Sequence, residues 1–119
     1  MSNVEATGSR PVHHTEVDGV PVFWVRTGAR LHAELVFGVG LADETFTTTG
    51  VTHLVEHMAM RRLGEHVHAA NAGVGLCMTS FEVSSSPAVV VEHLRRVCRA
   101  LAEPDPALLE VERRVVGVE

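Results

Sequence analysis

The chain has 119 residues, of which 45% are hydrophobic and 21% charged, and its formal net charge is −5. That length predicts a single domain able to bury roughly two-thirds of its unfolded surface. All 10 basic residues are arginines, scattered along the chain, which leaves no footprint for nucleic acid. No apolar run is long enough for a bilayer and Met1 to Pro11 carries no apolar signal stretch, so the expectation is a cytoplasmic protein without a membrane partner.

Residues 1–11 hold Gly, Ser, Asn and Pro without periodicity and are expected to be a flexible leader to a domain over residues 12–119. Val12 to Val17 and Val20 to Arg26 flank Asp18-Gly19, the dipeptide of a two-residue hairpin turn, and predict a β-hairpin. From Leu31 to Leu41 the apolar Leu31, Ala33, Leu35, Phe37, Val39 and Leu41 alternate with mostly polar or small residues, which predicts a strand with one buried face. The Thr-rich stretch from Asp43 to Gly50 reads as a loop. A helix is predicted from about Val51 through Met60, buried along Val51, Leu54, Val55, Met58 and Met60.

Gly64 to Gly75 is rich in Gly, Ala and His, and strand character returns from Val74 to Val83. Pro87 opens a helix whose apolar Val90, Val91, Leu94, Val97, Cys98 and Leu101 lie opposite Glu92, Arg95, Arg96 and Arg99. Asp105-Pro106 supplies an N-cap followed by proline at the first helical position, so a last helix follows. Three strands, a helix, a strand and two helices favour an α+β fold, a mainly antiparallel sheet packed by helices. Four Phe and Trp24 are the only aromatics, so the core should be aliphatic. Cys77 and Cys98 lack metal-ligand spacing and read as reduced, buried small residues.

The chemistry is concentrated in His53-Leu54-Val55-Glu56-His57. Successive helical residues turn by about 100°, so His53, Glu56 and His57 share about a third of the helix circumference. Two neutral imidazoles four apart suit one Zn²⁺, and the adjacent carboxylate suits a general base acting on the metal's water. This is the inverted order of the commoner zinc-protease motif. Zinc hydrolases take a third protein ligand, and Glu112 and Glu119 on the last helix lie nearly two turns apart on one face, where both can look towards the motif helix. His66 and His68 read instead as exposed loop residues, His13 and His14 as hairpin surface, and His32 and His93 as lone histidines that satisfy a local hydrogen bond.

These signals together resemble the pitrilysin/insulinase family of zinc metallopeptidases, in which the inverted motif precedes a helix of the form E-x-x-x-V-x-x-E. The segment from Glu112 through Val116 to Glu119 is similar to that helix. Asn71-Ala72, Thr79 and Phe81 sit at the spacing of the family's Asn-Ala strand edge, Thr and aromatic. Val39 to Glu44 and Gly50 to His53 are similar to its approach to the first histidine. The resemblance spans residues 15–119. It implies a truncated domain of that family binding Zn²⁺ through His53, His57 and Glu119. Glu56 would be the general base of peptide hydrolysis, and Glu112 a supporting carboxylate that orients a ligand histidine or Glu56. The peptide substrate would lie as an added strand beside Asn71 and Ala72.

The segment from His57 to Asn71 is shorter than the family's, and the family's active unit closes two larger halves around the peptide. The chain is therefore expected to be either a fragment of a longer protein or a subunit completed by a homo- or hetero-oligomeric partner. With Glu119 at the frayed end of a helix weakened by Gly117, zinc binding should be weaker than in a full family member. Two alternatives to the peptidase stay open: a non-catalytic subunit or interaction module that keeps the family fold, and a domain that uses zinc only to fold.

Overall fold

The computed structural model describes residues 8–64 and 69–117. The fold is α+β, with the element order β1 (His13–Val17), β2 (Val20–Trp24), β3 (Leu31–Phe37), α1 (Val51–Leu63), β4 (Ala70–Val74), β5 (Thr79–Ser85), α2 (Pro87–Ala102) and α3 (Pro106–Val116). Two short 3₁₀ turns, Leu41–Asp43 and Phe46–Thr48, lie between β3 and α1. β1 and β2 form the expected hairpin, and β3, β5 and β4 form an antiparallel sheet in that order.

The hairpin closes at Asp18 and Gly19, with φ of 50° and 80°. Two successive left-handed residues are what a type I′ turn requires, and its twist matches that of the strands it joins. His13 stacks on Trp24 and His14 on Phe23, with ring centroids 4.1 and 4.6 Å apart. β1 and β2 pack chiefly on one another, and all their residues except His13 are exposed.

Three strand predictions change, the first being the strand expected from Val74 to Val83, which starts only at Thr79, after a turn, and runs to Ser85. Ala70–Val74 lies inside the stretch read as a Gly-, Ala- and His-rich connection, yet it forms β4. Ala-Asn-Ala-Gly-Val has weak strand preference of its own, and the ladder to β5 supplies what propensity does not. β3 ends at Phe37 rather than Leu41, because the chain then leaves the sheet to bind the β4–β5 turn. Leu41 N donates to Gly75 O at 3.0 Å and Ala42 N to Leu76 O at 2.8 Å. A Cβ on Gly40 would sit 2.5 Å from Gly75 O and 2.6 Å from Leu76 O, so this crossing accepts only glycine.

The core lies between one face of the three-stranded sheet and helices α1 and α2. Phe81, Ala59, Leu63, Val97 and Ala100 form its buried cluster, with Leu35, Met60, Ala72 and Leu101 packed around it. The expected aliphatic core therefore has an aromatic at its centre, and Phe37 meets Phe81 edge to face at 6.2 Å. Only Ala33 and Leu35 of β3 are partly covered, so the fully buried face expected there belongs to β5, through Thr79, Phe81 and Val83.

The helices also turn differently from the apolar count. On α1 the buried residues are Glu56, Ala59 and Leu63, while Val51 and Val55 are exposed. The helix packs against α2, α3 and β4, and a face shared among three elements is not the face with the most valines. On α2, Val90 and Val97 are buried as expected, Val91 is exposed, and His93 and Ala100 join the buried stripe. Cys98 lies one residue beyond Val97 and so points about 100° away from the core, while Cys77 lies in the β4–β5 turn. Both are exposed free thiols rather than the buried residues expected.

His32 Nδ1 meets Ser84 Oγ at 2.9 Å, as a lone histidine should. His93 departs from that expectation: it is 3% exposed, and neither ring nitrogen has a hydrogen-bonding partner among the described residues. Burial, and then the neighbouring Arg96, hold its pKa below the ordinary 6.5, which keeps the ring neutral.

α3 starts as predicted. Asp105 accepts from Ala107 N at 3.0 Å and Pro106 occupies the first turn. Its one buried residue among those described is Glu112, turned towards α1. The radius of gyration is 17.7 Å, against about 13.5 Å for a compact domain of this length, and the extents are 63 × 33 × 31 Å. Among the described residues no helix is long and apolar enough to cross a membrane.

Candidate metal centre

The site is built at the start of α1. Gly50, the residue before the helix, takes a left-handed φ of 86° and has no side chain with which to cap it. Glu44 does so from the preceding loop, accepting from Gly50 N through Oε1 and from Thr52 N through Oε2, each at 2.9 Å. The Gly50 bond, followed by the Thr52 contacts, holds the Glu44 carboxyl below its ordinary value of 4.5. The same loop is braced by Asp43, whose Oδ2 accepts from Gly40 N at 2.9 Å. It is bonded in turn to the β4–β5 connection, which sets the spacing between the start of α1 and the β4 strand. Between them lies a cleft lined by Leu41, His53, Glu56, His57, Ala72, Gly73 and Val74.

One helical turn separates His53 from His57, and their Nε2 atoms converge to 2.9 Å with the rings at 80° to one another. Two ligands of a tetrahedral zinc stand about 3.3 Å apart at the usual bond lengths, so small side-chain rotations bring both onto one ion. Glu56, 9% exposed, places Oε2 3.8 Å from His53 Nε2 and 4.0 Å from His57 Nε2. One ligand atom from each residue can be chosen so that all three lie within 4.8 Å of one another. The donor set fits a divalent metal: two imidazoles aimed at a common point and a carboxylate beside it.

The second nitrogen of His57 is also fixed. Nδ1 donates to Glu112 Oε2 at 3.2 Å, on the side of the ring away from the Nε2 that meets His53. This is the kind of hydrogen bond that orients a metal-binding histidine. Glu112 Oε1 in turn accepts from Arg61 Nε. Of the two roles open to Glu112, the geometry supplies the contact to His57.

The remaining predicted residues are distributed as follows. Ala72 lines the cleft from β4. Asn71, its neighbour on an alternating strand, faces the opposite side of the sheet, where Nδ2 donates to Glu82 Oε1 at 3.1 Å. β4 is a terminal strand of the described sheet, so the main chain around Asn71 and Ala72 is at an edge, while the Asn71 side chain is turned from the cleft. Glu119, His66 and His68 lie outside the described residues.

Two residues support the site through contacts that the sequence did not assign to them, although Glu44 closes the stretch that resembles the family's approach to the first histidine. Glu44 follows the 3₁₀ turn that brings the loop back to α1, and its capping partner Thr52 is eight residues away, beyond the range of local capping patterns. Arg61 stands four residues after His57, on the same helix face, and that spacing was its one available signal.

No family model, curated protein or solved structure matches the chain.

Proposed function

We propose that this chain is a zinc metallopeptidase domain of the pitrilysin/insulinase type, or the metal-bearing subunit of such an enzyme. The single observation behind this reading is the convergence of His53 and His57 Nε2 beside the buried Glu56, with His57 anchored from behind by Glu112. His53 and His57 would hold Zn²⁺, and Glu119 is the third ligand by the resemblance alone. The bound ion would supply Lewis acidity, polarising a peptide carbonyl and lowering the pKa of a water towards neutrality.

The chain's own residues have distinct tasks. Glu56, which lines the cleft, would accept a proton from the attacking water and deliver it to the departing amine. Glu112 keeps the His57 ring in one orientation. β4, a terminal strand among the described residues, would offer its edge to a peptide laid along it, with Ala72 and Gly73 leaving room for the peptide's backbone. A purely structural zinc site has no use for a carboxylate at the Glu56 position and generally offers four protein ligands.

A second observation bears on the assembly. Among the described residues 22 large hydrophobic side chains are exposed, Phe46 to 98%, Leu76 to 68% and Phe23 to 67%, while 7 hydrophobic residues are buried. This favours a chain that works with a homo- or hetero-oligomeric partner, and a non-catalytic role within such an assembly is the alternative reading. Glu56→Gln separates the two. On the peptidase reading the variant retains zinc and loses peptide cleavage, measured on the chain together with any partner that activates it; cleavage that survives the substitution contradicts the mechanism.

A further inference from the structure

We infer that Arg61 is a positioning residue of the metal centre, which holds Glu112 so that Glu112 can hold His57. The inference rests on the zinc-site reading above and extends it to a residue with no role in that reading.

The Glu112 side chain is only 4% exposed, and a buried carboxylate is costly unless its charge and both oxygens are satisfied. His57 Nδ1 satisfies one oxygen. Arg61 Nε satisfies the other and brings a permanent cation. Arg61 is 48% exposed, so its guanidinium keeps part of its hydration while Nε reaches inward.

His57 and Arg61 are one turn apart on α1, and Glu112 comes from α3, so the carboxylate clips two adjacent positions of one helix from a second. Without Arg61, one oxygen of the buried carboxylate loses its donor, and the group is drawn to rotate towards water. The His57 ring then loses the acceptor that selects its Nδ1–H form. Arg62, the next residue, provides an internal comparison. It ties α1 to the end of α2 by donating to Glu103 O and touches neither Glu112 nor His57.

The test compares wild type, Arg61→Ala, Arg61→Lys and Arg62→Ala, with folding verified by circular dichroism. Zinc affinity is read by competition with a chromophoric chelator, and the His57 tautomer in metal-free protein by ¹⁵N NMR. Loss of an outer partner of a ligand histidine costs about 10- to 100-fold in metal affinity. Arg61→Ala should fall in that range and show a mixed tautomer, Arg61→Lys should recover part of both, and Arg62→Ala should match wild type. If Arg61→Ala does not fold, Arg61→Met retains the aliphatic stem and carries the same expectation. Wild-type zinc affinity together with an intact Nδ1–H tautomer in the Arg61 variant would overturn the inference. A wild-type chain that binds no zinc would overturn the metallopeptidase reading instead, and the tautomer comparison would still decide the role of Arg61.

Discussion

The β1–β2 hairpin and the α1–α3 contact are held together in opposite ways. The hairpin is local: a left-handed Asp18-Gly19 turn, five paired positions and two stacked ring pairs, all within a short stretch of chain. It is regular, and it is almost wholly exposed. The α1–α3 contact joins His57 and Arg61 to Glu112, residues 55 and 51 positions away in sequence, and buries a carboxylate to do so. Local and long-range contacts thus dominate in different parts of this molecule, because a turn dipeptide closes a hairpin within a few residues whereas orienting the His57 imidazole takes a second element behind it.

The sharpest test of that contrast is Glu112→Ala. The substitution removes two hydrogen bonds to a buried carboxylate but leaves only the half-exposed Arg61 charge, which can turn to water, so the cost is about 1.5–3 kcal/mol. The substitution should lower the urea midpoint accordingly and weaken metal binding in the same variant; an unchanged midpoint would show that α1 and α3 do not depend on this contact.

Gly40→Ala should have the next largest effect. The new methyl would meet two carbonyl oxygens of the β4–β5 turn, and forced overpacking costs about 1–3 kcal/mol. Since that crossing also sets the cleft between α1 and β4, zinc affinity should fall with stability. A variant with wild-type unfolding and affinity would mean that the loop does not brace the site.

Gly19→Val should have the smallest effect. At a φ of 80° a branched side chain strains the turn by about 1 kcal/mol or more and should fray the hairpin. Zinc affinity should stay at the wild-type value, and the amide exchange of α1 with it. A drop in affinity would join the two regions that the structure holds apart.

The same division explains what could be read from the sequence. The hairpin, the start of α2 and the capped start of α3 each announce themselves within a few residues, through Asp18-Gly19, Pro87 and Asp105-Pro106. The placement of His53, Glu56 and His57 on one helix face follows from helical spacing alone. Local preference does not foretell β4, because Ala70–Val74 becomes a strand through pairing with β5; the family resemblance alone places a strand edge at Asn71 and Ala72. The buried face of α1 was misjudged because the helix turns a carboxylate inward and leaves Val51 and Val55 outside. Glu44 and Arg61 act on partners that only the folded chain brings near. His93 looked like an ordinary polar histidine, and its burial depends on how α2 rotates against the sheet.

The central claim is that His53 and His57 form a metal centre, and zinc stoichiometry tests it most directly. Purified wild-type protein, loaded with one equivalent of Zn²⁺ and freed of excess by gel filtration, should retain one zinc per chain, while His57→Ala should retain none and Glu56→Gln should match wild type. Retention of zinc by a folded His57→Ala variant, or no retention by the wild-type chain, would contradict the account.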